Sequence, residues 1–187
     1  MNNLTKVHKS EQGAALFLTL AVMLILTIMG ITSVQTTIMQ QRMAGNYRDL
    51  SIAFQAAEAA ATEAEAFIDA MSNLNAFPSE SATQLCSAGR CTSLDGTARW
   101  QESSLWSSAT GTVKASIAPD DLGVAAAPRY LIEYIAEFTR PDATQVYIFR
   151  VTARGTGGTA RSVAMLQTTY EKQFGGVSAG RLSWRRL

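Results

Sequence analysis

Between Glu11 and Arg42 no residue carries a charged side chain, and the stretch Ala14–Val34, AALFLTLAVMLILTIMGITSV, is diluted only by Thr, Ser and a single Gly. A helix needs about 20 apolar residues to cross ~30 Å of hydrocarbon, so this run is long enough to span a membrane. The competing reading is a buried core helix. It fits poorly, because helices inside globular proteins rarely stay uncharged for so long and usually show a polar face. Of the 187 residues, about 150 follow the run, enough for one modest domain with its own core.

Lys and Arg total 16 and Asp and Glu 15, a balance that argues against a globally basic nucleic-acid binder. The single histidine, His8, precedes the apolar run. The rest of the chain therefore has no imidazole for metal ligation, general-base work or a nucleophile triad. No catalytic, metal-binding or cofactor-binding residue is assigned.

Met1–Gly13, MNNLTKVHKSEQG, is short and polar, with Lys6 and Lys9 set against Glu11. The positive-inside rule keeps this end cytoplasmic. A secretory signal peptide also starts basic, but its apolar core runs for about 7–15 residues and ends at a small-residue cleavage site. Here the run is longer and continues as helix. A third reading places the cut ahead of it, at Gly13, and leaves the hydrophobic helix in the mature protein.

A basic leader ending in Gly, an uncharged helix directly behind it and a long amphipathic continuation resemble a type IV prepilin of the class III signal type. The segment Gln40–Ala60, QQRMAGNYRDLSIAFQAAEAA, closely resembles the N-terminal region of the PilX family of minor pilins. The likeness covers roughly Gly13–Phe67; beyond it only general pilin architecture matches. The resemblance implies that prepilin peptidase cuts after Gly13 and methylates the new amine of Ala14. Two positions depart from the usual prepilin pattern. Prepilins generally place Phe or Met first, where this chain has Ala14, and most have Glu at the fifth mature position, which here is Leu18.

The second departure has a physical consequence. In the family's assembly scheme the fifth-position carboxylate of an incoming subunit pairs with the N-terminal ammonium of one already in the filament. A bare carboxylate in a bilayer costs about 2.5–3.5 kcal/mol on insertion scales, so pairing drives docking. With Leu18 that drive is missing, while the Ala14 amine can still be neutralised by the next subunit. This suits a first position better than a repeating one, and a tip or initiation role is expected. The resemblance further implies a complex with other minor pilins, the major pilin and a large pilus-tip adhesin. The inner membrane would hold the subunit before assembly, its domain in the periplasm.

From Met39 the residues Met43, Tyr47, Leu50, Phe54, Ala57, Ala61, Ala64, Ile68 and Met71 recur every three or four positions, one apolar stripe on a helix, with Arg48, Gln55, Thr62 and Glu63 on the other side. Unbroken helix from Ala14 to Met71 would be on the order of 85 Å long. Gly30 and Gly45 are its weak points, and Asn73, Asn75 and Pro78 end it. Ser79–Pro128 reads as a variable connection with short elements near Ala98–Glu102 and Gly111–Ile117. Cys86 and Cys91 form C-x4-C with no further ligand for a metal. In an exported domain a local disulfide is expected, with two free thiols the alternative; pilins often carry theirs near the C-terminus, so its place here is a departure. Asp95 with Gly96, and the pair Asp120 and Asp121, lack the spacing of a calcium loop.

Tyr130–Phe138, Gln145–Ala153 and Ser162–Tyr170 read as consecutive antiparallel strands, with turns at Arg140–Thr144 and Gly155–Thr159. In the first, Tyr130, Ile132, Tyr134, Ala136 and Phe138 share the face expected inward, and Leu131, Glu133, Ile135 and Glu137 share the other. The two acids read as solvated rather than catalytic. The GTGGT turn lacks the Lys and Ser/Thr of a phosphate loop. From Gly175, GGVSAGRLSWRRL reads as a mobile solvated tail, the alternatives being a contact with a neighbouring subunit, with phospholipid head groups or, weakly, with DNA, each motivated by its mixture of Arg and Trp.

The expected fold is α+β, a type IV pilin fold with a long N-terminal helix packed on an antiparallel sheet. Its parts are a leader (1–13), a transmembrane half-helix (14–34), an amphipathic half-helix (35–73), a globular domain (74–174) and a Gly-rich basic tail (175–187). Two rival readings are a type II secretion tip pseudopilin, against which the Gln40–Ala60 match counts, and a membrane-anchored periplasmic enzyme or binding domain.

Overall fold

The computed structural model describes residues 11–108 and 110–187; Lys6, His8, Lys9 and most of the expected leader lie outside that set. Two compact units are present, Met1–Gly45 and Asn46–Leu187. Helix α1, Glu11–Ala70, runs through the boundary.

In the first unit α1 is the only described element. Its Thr19, Thr27 and Thr32 hydroxyls donate to the carbonyls of Leu16, Leu24 and Met29 at 2.8–2.9 Å, so these polar groups are satisfied within the helix, as a lipid environment demands. In the second unit, α1 buries Ala53, Ala56, Ala57, Ala60, Ala61, Ala64 and Ile68 completely. The stripe read from the sequence is thus shifted: Tyr47 is 78% exposed, and the buried face is alanine rather than large apolar side chains. Met39 and Met43, in the first unit, are exposed. Small side chains let the helix backbone come close to the sheet. At Gly155 an added Cβ would lie 2.2 Å from the Ala53 carbonyl oxygen and 2.4 Å from the Ala57 nitrogen. The helix ends at Ala70, and an Asx turn follows in which Asn73 Oδ1 accepts from the Asn75 N–H at 2.9 Å.

Among the described residues seven strands form one sheet: β1 Cys86–Ser87, β2 Arg90–Thr92, β3 Val113–Lys114, β4 Arg129–Thr139, β5 Gln145–Thr156, β6 Val163–Lys172 and β7 Gly180–Arg186. Their order is β1-β2-β4-β5-β6-β7, with β3 also paired to β4. The three strands read from the sequence are β4–β6, antiparallel, with the first turn where expected; the second lies later than expected, at 157–162, because Gly155 and Thr156 still pair with Ala164 and Val163. The pairing of β2 with β4 is parallel, a departure from a purely antiparallel sheet.

On the helix side Tyr130, Ile132, Tyr134, Phe149, Val151, Ala153 and Tyr170 pack against Ala60, Ala61, Ala64 and Ile68. On the other side Leu131 is covered by Trp106 and Cys91. Cys91 comes from β2 and Trp106 from a short helix α2, Ser103–Ser107, while Trp100 of a 3-10 turn, Arg99–Gln101, packs against them. A second short helix, α3 Pro119–Leu122, precedes β4.

The faces of β4 follow the sequence reading only as far as Tyr134. A bulge lies between Tyr134 and Ala136, so Tyr134 pairs with Phe149 but Ala136 with Ile148 and Phe138 with Val146. One extra residue reverses the alternation. Ala136 and Phe138 therefore leave the helix-side face, Phe138 being 47% exposed, and Glu137 enters it, accepting from the Tyr134 hydroxyl at 2.7 Å.

Polar ties join α1 to the sheet within the second unit. The Thr159 hydroxyl donates to Asp49 at 2.6 Å, Lys172 Nζ donates to the Asp69 carbonyl at 2.6 Å, and Arg181 pairs with Glu58 at 2.8 Å and Glu65 at 2.9 Å.

Candidate assembly surface

Gly13, Ala14 and Leu18 all lie in α1 and are exposed, Leu18 at 65%. They open an apolar surface that continues through Phe17, Leu20, Met23, Ile25, Met29 and Val34, each more than half exposed. A soluble domain does not leave so continuous an apolar face in water; by length and composition this helix can cross a membrane. Leu18 offers no carboxylate at its position on this surface.

Cys86 and Cys91 are joined in a disulfide. They are direct cross-strand partners of the β1–β2 hairpin, whose two turn residues, Ala88 (φ 47°) and Gly89 (φ 71°), both have positive φ. That is the hairpin turn whose twist matches its strands. Gly89 is also pressed against Val113, where a Cβ would lie 2.6 Å from Cγ2, and its carbonyl accepts from the Ile132 N–H at 2.9 Å. The disulfide hairpin is thereby fixed to the β4 side of the sheet.

Glu133 departs from its expected solvated state, since it is fully buried. It accepts from the Arg99 N–H at 2.8 Å and the Ser93 hydroxyl at 3.4 Å, with Arg150 at 3.9 Å, while Oε2 has no hydrogen bond. Burial pushes its carboxyl above the usual range, against the pull of Arg150 and the two donors. Its job is to hold the Ser93–Arg99 segment onto the sheet. Glu137 lies on the opposite face because of the bulge, so the two acids form no pair. Burial and the bond to Glu137 also raise the Tyr134 phenol. Asp95 is engaged in its own turn, accepting from Thr97 and pairing with Arg99 at 2.9 Å. Asp120 lies in α3, and the Asp121 side chain lies outside the described set. Among the described residues no cluster of three or more His, Cys, Asp or Glu is placed to hold a metal ion.

The segment from Gly175 is not a free tail. Gly180–Arg186 forms β7 against β6. Arg181 bridges Glu58 and Glu65, and Trp184 donates to Glu58 at 3.0 Å while meeting Phe54 edge-on at 5.8 Å. These residues were not legible as structural: the only sequence signal is that Arg and Trp sit in a stretch whose acidic partners lie over 110 positions earlier.

A family model described as type IV pilus assembly protein PilX, C-terminal, matches residues 75–172, and a second, described as PilX N-terminal, matches residues 12–62. No curated protein and no solved structure matches the chain. The two matched regions take in both the apolar start of α1 and the domain that packs against its second part. With a long helix on an antiparallel-dominated sheet and an N-terminal stretch suited to membrane anchoring, this chain belongs to the PilX family, the minor pilins of type IV pilus assembly.

Proposed function

We propose that this minor pilin helps start assembly of the pilus and sits at or near its tip, in a complex with other minor pilins and a large adhesin. Prepilin peptidase removes residues 1–13 and acts on Ala14; residues 14–34 hold the subunit in the inner membrane, with the domain in the periplasm, until it is drawn into the filament. The observation that carries the reading is Leu18, an exposed apolar residue at the fifth position after Gly13. A subunit without a carboxylate there has no need to dock onto an earlier ammonium, yet its own ammonium can receive the next subunit. The role is structural rather than enzymatic.

The test starts from cells with and without prepilin peptidase. The mature protein should begin at Ala14 only where the peptidase is present, and immunogold label on sheared pili should fall at filament ends. Retention of Met1–Gly13 in both strains would remove the processing step. Label distributed evenly along shafts would remove the tip position.

A further inference from the structure

On the sheet face away from α1, a cleft of about 530 Å³ lies between α2 and strands β5 and β6, a size usual for small-ligand sites. Trp100, Trp106 and Met165 form its apolar walls, and Arg154 lies among them. Arg154 is half-buried, and among the described residues its guanidinium has no hydrogen-bond or ion-pair partner. It also stands directly across β4–β5 from Arg129. Arg129 is committed elsewhere, donating to the Trp106 and Ser108 carbonyls at 3.2 and 2.9 Å. Among the described residues no acidic one lines the cleft.

We propose that this cleft binds a hexuronic acid unit of an acidic saccharide. The planar guanidinium of Arg154 matches a carboxylate as a two-pronged donor. The Trp106 indole is buried, with its N–H used on the Trp100 carbonyl at 2.7 Å, and the half-buried Trp100 offers the cleft apolar surface, suited to the C–H face of a pyranose ring. Gln101, Ser103 and Ser107, all exposed at the cleft wall, supply donors and acceptors for sugar hydroxyls. A single-stranded nucleic acid would need a track of cations along its backbone, whereas among the described residues that line the cleft Arg154 is the one cation, set among neutral groups. The proposal does not depend on the assembly role.

The test uses the full chain in detergent micelles, titrated with a galacturonate tetramer and with its neutral methyl ester, read by tryptophan fluorescence and calorimetry. The tetramer should bind at least about tenfold more tightly than the ester, the lower end expected for a charge-assisted hydrogen bond. Arg154→Gln should bind both equally at the weaker level with an unchanged near-ultraviolet circular dichroism spectrum. If that variant loses its tertiary signal, Arg154→Lys, which keeps the charge but not the fork, should still shrink the discrimination. Three results would overturn the assignment: no binding of the tetramer at millimolar concentration, discrimination undiminished in the Arg154 variant, or tighter competition by a polyglutamate peptide or oligo-dT of equal charge.

Discussion

Gly155→Ala is the substitution that tests the packing of α1 on the sheet most directly. Gly155 needs no left-handed backbone, so the penalty is purely one of space. The new methyl would sit 2.2 Å from the Ala53 oxygen, 2.4 Å from the Ala57 nitrogen and 3.0 Å from the Ala56 carbonyl carbon. All three are backbone atoms, which no rotamer change can move aside. Restoring contacts of roughly 3.5 Å requires helix and strand to part by about 1 Å, and such a gap forfeits a quarter to a half of each dispersion contact. Ala53, Ala56, Ala57, Ala60, Ala61 and Ala64 lie on that face. At on the order of ten contacts each and ~0.1 kcal/mol per contact, the loss is about 2–3 kcal/mol, at the upper end of overpacking penalties. For a chain of this size the midpoint should fall by roughly 5–10 °C. Near-ultraviolet circular dichroism during thermal unfolding reads this in the domain, where all three tryptophans lie. The control is Gly96→Ala, whose Cβ would meet open space and whose cost is confined to a φ of 78°, about 1 kcal/mol. A Gly155→Ala midpoint no lower than that of Gly96→Ala would refute the close helix–sheet approach.

Three further outcomes are expected. Replacing Cys86 and Cys91 together by Ser should lower stability by about 2 kcal/mol, from the chain-entropy loss of a short loop, measured by urea unfolding, with amide protection in β4–β6 largely kept. For Glu133, burial raises the native carboxyl above its ordinary 4.5, so the unfolded chain binds fewer protons. Its contribution is full below that value and is lost as pH rises through the native one; the melting point of Glu133→Gln relative to the parent should therefore climb with pH over that window, and a constant difference would refute it. Arg181→Ala should release β7 from α1, seen as a red shift of Trp184 emission, with a loss near 1 kcal/mol that shrinks in high salt.

Much of this fold could be read from residue order because its signals are local. Alternation in Tyr130–Tyr134 places both faces of β4 up to its bulge, β5 and β6 stand out as apolar runs, and the uncharged run marks the apolar helix by length alone. What escaped was set by contacts remote in sequence. The bulge at Ile135 adds one residue to an otherwise regular strand, and nothing in YLIEYIAEF marks where the alternation reverses. Glu133 reads as a surface acid until Ser93 and Arg99 are folded over it. The Gly-rich approach to β7 conceals a strand whose reason to exist is Glu58 and Glu65 on α1. The helical stripe was overextended because Met39, Met43 and Tyr47 keep the right period, whereas the buried face is carried by alanines that periodicity alone underweights.

The alanine layer has a mechanical corollary. Side chains that interlock resist sliding, but a row of methyl groups looks much the same after the helix slips by one turn, so beyond the close approaches at Gly155 and Gly157 the layer hardly fixes axial register. That register rests on the ties at Asp49, at Glu58 and Glu65, and at Asp69. Spaced along the packed stretch of α1, they would be strained together by tension along the helix axis, sharing load in shear instead of unzipping in sequence. Single-molecule pulling along that axis should give one high-force rupture, and removing any one tie should lower that force without turning the event into a staircase.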